Sequence, residues 1–137
     1  MFAVKATLRS HPGRPSHPDA MGRCIEACFT CAGTSTACAD ACLSERDVGD
    51  LLTCIRHNLD CAAICTATGS VVARAKAGAS RQVMESQLNV CIAACRACGD
   101  ECRRHAHTHA HCKVCGDACE ACATACTEML AALRAVV

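Results

Sequence analysis

The residues in this chain with the clearest capacity for chemistry are its cysteines, which number 17 among 137 residues. They fall into four groups: Cys24, Cys28, Cys31, Cys38 and Cys42; Cys54, Cys61 and Cys65; Cys91, Cys95, Cys98 and Cys102; and Cys112, Cys115, Cys119, Cys122 and Cys126. Within each group the steps are three, four or seven residues, the spacing of one face of an α-helix. Segments 91–102 and 115–126 both read C-x3-C-x2-C-x3-C. The spacing therefore predicts four helices, each with a stripe of thiols.

Thiols at this spacing could bind a soft metal ion. The Cβ atoms of residues i and i+4 in a helix are about 5–6 Å apart. A two-coordinate ion with metal–sulfur bonds of roughly 2.3 Å needs sulfurs about 4.6 Å apart. Soft thiolates select Cu(I), zinc and iron–sulfur clusters. The C-x3-C pairs that meet the spacing requirement are Cys24–Cys28, Cys38–Cys42, Cys61–Cys65, Cys91–Cys95, Cys98–Cys102, Cys115–Cys119 and Cys122–Cys126.

Charge balance favours Cu(I) among these metals. Many bare thiolates are too costly to bury, but one monovalent ion per bridging thiolate makes a neutral array. Zinc held by four thiolates leaves two net negative charges at each site, and its ligands usually come from loops or knuckles. Iron–sulfur motifs lie in irregular backbone with a different spacing. We therefore predict multiple Cu(I) ions per chain, with a zinc–thiolate store and an iron–sulfur or thiol redox protein as the alternatives.

Composition argues against several other classes of function. A net charge of +1 and the absence of Trp and Tyr give no sign of nucleic-acid binding. The longest uncharged stretches, 27–39 and 61–73, are shorter than the roughly 18–20 apolar residues of a membrane span. The N-terminus lacks the apolar core of a signal peptide, so we predict a cytoplasmic protein whose thiols stay reduced. Many equivalent thiols indicate binding capacity, and we predict no enzymatic activity.

The elements that position these thiols follow from helix signals in the rest of the chain. Residues 1–18 contain all three prolines and are predicted to form a flexible N-terminal arm. Residues 19–137 are predicted to form the metal-binding domain, with alanine-rich helices at 19–44, 47–77, 81–106 and 109–135. Short connections between long helices favour an antiparallel up-down-up-down four-helix bundle. The predicted fold is all-α, with a core lined by cysteine.

Histidines cluster at one end of this predicted bundle. His105 and His109 continue the stripe of the third helix, and His111 lies beside them in sequence. His57 is predicted to fill the missing cysteine position of the second helix and to lie near the same end. Nitrogen ligands at this end could admit copper to the sulfur interior, so we predict a metal-binding role for all four histidines.

The opposite end of the predicted bundle carries large apolar side chains. They are Met21, Ile25, Val72, Met84, Leu88, Met129 and Leu133. Methionine can bind Cu(I), but methionine at helical spacing among aliphatic residues is more often core packing. We predict that this end is a hydrophobic plug.

The chain resembles a known family, the bacterial copper storage proteins, and specifically their cytosolic branch. The resemblance rests on the four cysteine stripes, the C-x3-C-x2-C-x3-C segments and the sequence His111-Cys112-x-x-Cys115. It implies a four-helix bundle that stores many Cu(I) ions in its core, commonly as a homotetramer, for copper homeostasis and detoxification. We also predict exchange of copper with a chaperone or chelator. The chain departs from the pattern at Ser35 and in the second helix, which has only three cysteines.

Overall fold

The computed structural model describes residues 2–74 and 81–135, which contain five α-helices and no strand. A short 3-10 helix, Val48–Leu51, precedes the third of them. Within these two ranges no helix combines the length and the apolar character of a membrane span. The predicted all-α class is confirmed. The α-helices are α1 (Phe2–Arg9), α2 (Pro18–Leu43), α3 (Leu52–Ala73), α4 (Arg81–His105) and α5 (Ala110–Ala135).

Local sequence explains most of the helix boundaries. α2 begins at Pro18, whose fixed φ suits the first helical turn. α4 ends with basic side chains, which interact favourably with the C-terminal end of the helix dipole. α3 begins at Leu52, later than predicted, because the Asp47 side chain makes no capping hydrogen bond and instead accepts one from the His109 ring. The predicted break at 78–80 lies outside the described residues.

The predicted arm, residues 1–18, contains the helix α1. The proline and glycine content of this segment does not predict a helix. An eight-residue helix is too short to be stable alone, so α1 depends on its packing against α2. Leu8 is buried, the Lys5 stem covers Gly22, and Arg9 forms an ion pair with Asp19 at 3.0 Å. A Cβ on residue 22 would lie 2.9 Å from the Lys5 Cγ, so glycine at this position allows the close approach of the two helices.

The four long helices pack in a ring around the thiols. α2 packs on α3, α3 on α4, α4 on α5 and α5 on α2, whereas the diagonal helices meet only through side chains in the core of the described residues. α4 and α5 approach closely at Gly99, where a Cβ would lie 3.3 Å from the Cβ of Cys119. All 17 cysteines are free thiols, and each is at most 2% exposed. Sulfur therefore occupies the place that aliphatic side chains fill in most bundles.

One end of the ring is filled with large apolar side chains, as predicted, and we call it the closed end. Leu133 is partly buried against this core. Because the rest of the core consists mainly of cysteine and alanine, the closed end supplies most of the large-side-chain packing. The fully packed set is Met21, Ile25, Val72, Met84, Leu88 and Met129, each at most 4% exposed.

Candidate metal centre

Ten thiols on the side of the closed end form one connected network of sulfur–sulfur hydrogen bonds. Their Sγ–Sγ distances are 3.6–3.9 Å. These distances are short enough for neighbouring sulfurs to bind the same ion after small side-chain shifts. We call the ten the inner thiols: Cys24, Cys28, Cys31, Cys61, Cys65, Cys91, Cys95, Cys119, Cys122 and Cys126.

The other seven thiols lie toward the opposite end, where the Sγ atoms of Cys54 and Cys102 are 3.8 Å apart. Several of them also contact oxygen and nitrogen atoms of Asn58, Ser35 and His111. We call these the outer thiols: Cys38, Cys42, Cys54, Cys98, Cys102, Cys112 and Cys115.

Most of the sulfur contacts join different helices. Of the eleven sulfur–sulfur hydrogen bonds of 3.6–3.9 Å given above, ten cross between two helices, and Cys61–Cys65 lies within one. At these distances, the thiols of the C-x3-C pairs therefore mainly contact thiols of a neighbouring helix. Groups whose ligand atoms all lie within 4.8 Å of one another include Cys28, Cys91, Cys122 and Cys126, and also Cys31, Cys65, Cys95 and Cys122.

Burial keeps the thiols of Cys42 and Cys112 protonated in the absence of metal. Desolvation raises the pKa of the Cys42 thiol. Desolvation, reinforced by the neighbouring Cys42 and Cys54, raises the pKa of the Cys112 thiol to about 12. A metal ion must therefore displace protons from these thiols when it binds. A soft cation with strong affinity for sulfur can do so, whereas a weakly bound cation cannot.

Asn58, not His57, fills the missing position in the stripe of α3. The Asn58 side chain is fully buried, whereas His57 is half-buried. The prediction for His57 was wrong on this point because steps of four, three and four from Cys54 to Cys65 pass through residue 58. Those steps are the same as in C-x3-C-x2-C-x3-C, so comparison with the repeat could have identified Asn58.

Asn58 and Ser35 place two buried oxygen atoms in the middle of the sulfur core. Asn58 Oδ1 accepts hydrogen bonds from the thiols of Cys98 at 3.1 Å, Cys115 at 3.3 Å and Cys102 at 3.6 Å. The Ser35 hydroxyl, also fully buried, lies 3.6 Å from Cys115 Sγ and 3.8 Å from Cys31 Sγ.

His111 is brought directly against the outer thiols. Its Nδ1 lies 3.4 Å from Cys38 Sγ and 3.6 Å from Cys112 Sγ, and its Nε2 lies 3.2 Å from Glu45 Oε2. Cys42 completes a group of four potential ligands with these residues. A histidine that binds a metal through one nitrogen is typically held by a carboxylate at the other, and this arrangement has both features. We call this end of the ring the mouth.

His105 and His109 lie at the mouth but are held by carboxylates. His105 Nε2 is 2.9 Å from Glu101 Oε2. His109 contacts Asp47 through Nε2 at 2.9 Å and Glu45 through Nδ1, and its ring lies 5.5 Å from that of His111. The hydrogen bond with the Asp47 carboxylate raises the pKa of the His109 ring. The structure thus brings together three of the four predicted histidines, with His111 the one whose nitrogen faces Cys38 and Cys112.

Comparison with known proteins relates this arrangement to a described family. The sequence model of the family described as Csp, copper storage protein, matches residues 17–131, a range that holds all four cysteine stripes. The chain belongs to the copper storage protein family. The match begins just before α2, so the helices that supply the thiols account for nearly all of it.

Solved structures of copper storage proteins share this fold. The copper storage protein Ccsp from Streptomyces lividans, loaded with 10 copper equivalents, is 50% identical; the match covers 93% of this chain and 98% of that one, with a TM-score of 0.89. A cytosolic copper storage protein from Streptomyces lividans with five coppers is 54% identical over 82% of this chain and 93% of that one, with a TM-score of 0.80.

A relative from Bacillus subtilis is less similar in sequence. The uncharacterized cysteine-rich protein YhjQ of Bacillus subtilis is 36% identical over 108 residues, which cover 79% of this chain and 94% of that protein.

Proposed function

We propose that this protein is a cytosolic copper store that binds many Cu(I) ions through its core thiolates, for copper homeostasis and detoxification. The observation that carries the proposal is the burial of 17 free thiols in one core. Family membership and the copper-loaded Streptomyces relatives support it, and the name of one relative supports a cytosolic location. The protein stores copper and is not an enzyme.

The charge of the core supports Cu(I) as the stored ion. Among the described residues, the buried polar and charged side chains are Ser35, Asn58, Thr68 and Glu101, so no buried lysine or arginine can neutralise thiolates. Each Cu(I) ion that replaces a thiol proton leaves the net charge unchanged, and the core can fill without accumulating charge. Divalent ions held by four thiolates would each leave two negative charges in a dry interior.

The bundle that holds the copper is formed by α2 to α5. We infer an antiparallel up-down-up-down four-helix bundle within residues 19–137, with the arm 1–18 outside the copper-binding unit. Contacts of α5 with α2 support the antiparallel order, because Cys126 meets Cys24 near one end and His111 meets Cys38 near the other.

Assembly and exchange partners are also part of the proposal. The resemblance to the cytosolic copper storage proteins implies a homotetramer. We propose separately that copper enters from and returns to a chaperone or chelator. The exposed pairs Leu52 and Leu59 on α3, and Val83 and Val90 on α4, support association. Each pair lies on one helix face, seven residues apart, and leaves apolar area uncovered in the single chain.

All 17 core cysteines are proposed ligands, and His111 is the proposed nitrogen ligand at the mouth. His105 and His109 are proposed to line the mouth, where they hold carboxylates that attract cations. His57, half-buried on α3, is proposed to contribute to copper entry at the mouth from a position outside the sulfur core.

Anaerobic titration of the reduced protein with Cu(I), in competition with a Cu(I) chelator, tests the proposal. We expect saturation above about ten equivalents per chain, because nearly every thiol can bridge two ions. Saturation at one or two equivalents would indicate a copper carrier instead. A parallel titration with Zn(II) and a zinc indicator should show much weaker binding, and tight stoichiometric binding of Zn(II) would favour a zinc store.

Replacing His111 by alanine is expected to slow copper uptake while leaving capacity nearly intact. The variant removes the nitrogen that faces Cys38 and Cys112 at the mouth, but it leaves every thiol in place. Stopped-flow loading from a Cu(I)–chelator complex should slow on the order of tenfold. His11→Ala, in the exposed arm, is the control and should load at the wild-type rate. Loading of the His111→Ala variant at the wild-type rate would show that copper enters elsewhere.

A further inference from the structure

At the mouth, the connection between α2 and α3 meets the connection between α4 and α5. Glu45, from the first connection, contacts Nδ1 of His109 through its Oε2, and the same Oε2 lies 3.2 Å from Nε2 of His111. The His109 side chain is only 11% exposed, whereas Glu45 and His111 keep more contact with solvent. Two imidazole nitrogens therefore converge on one carboxylate oxygen at a partly shielded position.

Asp47 determines which nitrogen of His109 carries a hydrogen atom. The Asp47 Oδ2 lies 2.9 Å from Nε2 of His109, and an ionised carboxylate only accepts hydrogen bonds, so the N–H of the ring is at Nε2. In the neutral ring, Nδ1 then presents a lone pair to the carboxylate of Glu45. Two acceptors in contact require a proton or a metal ion between them. A carboxylate that holds the other ring nitrogen is also the usual partner of a metal-bound histidine.

We propose that Glu45, His109 and His111 form a binding site for one borderline divalent cation of the zinc class, distinct from the Cu(I) sites of the thiol core. Zinc binds histidine nitrogen and carboxylate oxygen with bonds of about 2.0–2.2 Å, and two histidines with one carboxylate are a common ligand set. Tetrahedral angles place such ligand atoms roughly 3.3 Å apart. The 3.2 Å between His111 Nε2 and Glu45 Oε2 is close to this value. Water can fill the fourth position, because the site lies at the mouth.

The donor atoms and the charge of this site favour a divalent cation over Cu(I). Nitrogen and carboxylate ligands suit Zn(II), whereas Cu(I) prefers sulfur, which the core supplies in 17 thiols. With neutral imidazoles, the carboxylates of Glu45 and Asp47 balance the two positive charges of the cation. The same cation held by four thiolates in the core would leave two negative charges. The mouth and the core therefore select different metal ions.

A divalent cation at this site removes His111 from the copper route. A neutral imidazole has one lone pair, so His111 can bind one metal ion through one nitrogen. When Nε2 binds the divalent cation, Nδ1 carries the proton and faces the Cys38 and Cys112 thiols, 3.4 Å and 3.6 Å away, as a donor. The cation thus slows copper uptake at the mouth. This last step rests on the proposed entry of Cu(I) past His111.

Co(II), a spectroscopic substitute for Zn(II), distinguishes the site from the thiols. One equivalent added to the reduced apoprotein without oxygen should give weak visible ligand-field bands without a thiolate charge-transfer band, and Zn(II) should displace it. Glu45→Gln and Asp47→Asn should each weaken Co(II) binding at least about tenfold. Asp50→Asn, an exposed carboxylate of the same connection, is the matched control and should bind like wild type.

Far-UV circular dichroism should show the same helix content in all three variants, because none of the substituted side chains is buried. A thiolate charge-transfer band at the first equivalent would overturn the site, because the cation would then lie in the core. Wild-type affinity in folded Glu45→Gln would overturn it as well.

Copper uptake in the presence of Zn(II) tests the effect of the site. One equivalent of Zn(II) should slow stopped-flow loading of the wild-type protein on the order of tenfold, to about the rate of His111→Ala, and should not affect Glu45→Gln. Wild-type loading that Zn(II) leaves unchanged would overturn this effect. Absence of Co(II) binding at the mouth in a protein that stores many Cu(I) ions would overturn the site and leave storage intact. A capacity of one or two Cu(I) ions would contradict storage instead.

Discussion

Loading the reduced protein with Cu(I) is expected to raise its melting temperature by at least about 20 °C. Each ion that binds the folded chain at a free concentration 100 times its dissociation constant adds about 2.7 kcal/mol of stability. Unfolded thiols also bind Cu(I), which reduces this gain, but they cannot reproduce the arrangement of four stripes from four helices. A net gain from only three sites, about 8 kcal/mol, accounts for the expected shift.

Differential scanning calorimetry under anaerobic conditions measures this shift, with equal samples of apoprotein and loaded protein. Removal of the copper with a chelator should return the melting temperature to the apoprotein value, which excludes irreversible modification as the cause. An increase of less than about 5 °C at full loading would mean that copper binds the folded and unfolded chains almost equally. That result would contradict a site assembled by the fold.

Replacing Leu88 by alanine is expected to destabilise the metal-free protein by about 3–5 kcal/mol. Leu88 is fully buried at the closed end, where a small set of large apolar side chains provides most of the aliphatic packing. Cysteine and alanine elsewhere in the core are too small to collapse into the resulting cavity. Urea unfolding of reduced apoprotein, followed by circular dichroism, measures the loss.

Leu43→Ala is the matched control, because it makes the same chemical change at a side chain that is 59% exposed. It should change the free energy of unfolding by less than about 0.5 kcal/mol. A cost below about 1 kcal/mol for Leu88→Ala would show that the closed end is not what stabilises the apoprotein. The thiols themselves would then have to supply the packing.

The thiol stripes could be predicted from the sequence because helical periodicity alone determines which residues share a face. Steps of three and four between cysteines place them on one side of each helix, and the alanine-rich background permits long helices. The burial of every cysteine follows from that pattern once the helices pack. The plug at the closed end followed from the same periodicity, applied to methionine and the aliphatic residues.

Features that depend on tertiary contacts could not be predicted from helical periodicity. The helix α1 is stabilised by the burial of Leu8 and by contacts of Lys5 and Arg9 with α2, none of which leaves a periodic signal in eight residues. α3 begins later than predicted because the Asp47 side chain accepts a hydrogen bond from a histidine that is distant in sequence, instead of capping the helix.

The histidines show the limit of sequence position as a guide to chemical role. His105, His109 and His111 are close in sequence, yet their ring nitrogens have different partners. Acidic side chains from the connection between α2 and α3 hold His109, and they hold only one of the two ring nitrogens of His111. The remaining nitrogen of His111 is therefore left facing the thiols. Asn58, by contrast, was within reach of sequence reasoning, because it occupies a position that the cysteine repeat defines.

The most direct test of copper storage in the thiol core is a crystal of the Cu(I)-loaded protein measured at the copper absorption edge. Anomalous peaks should lie along the central axis of the ring, each between sulfurs of the inner or outer thiols, with one peak beside Nδ1 of His111. A fully loaded crystal without anomalous density along that axis, or with copper bound only at the surface, would contradict the account.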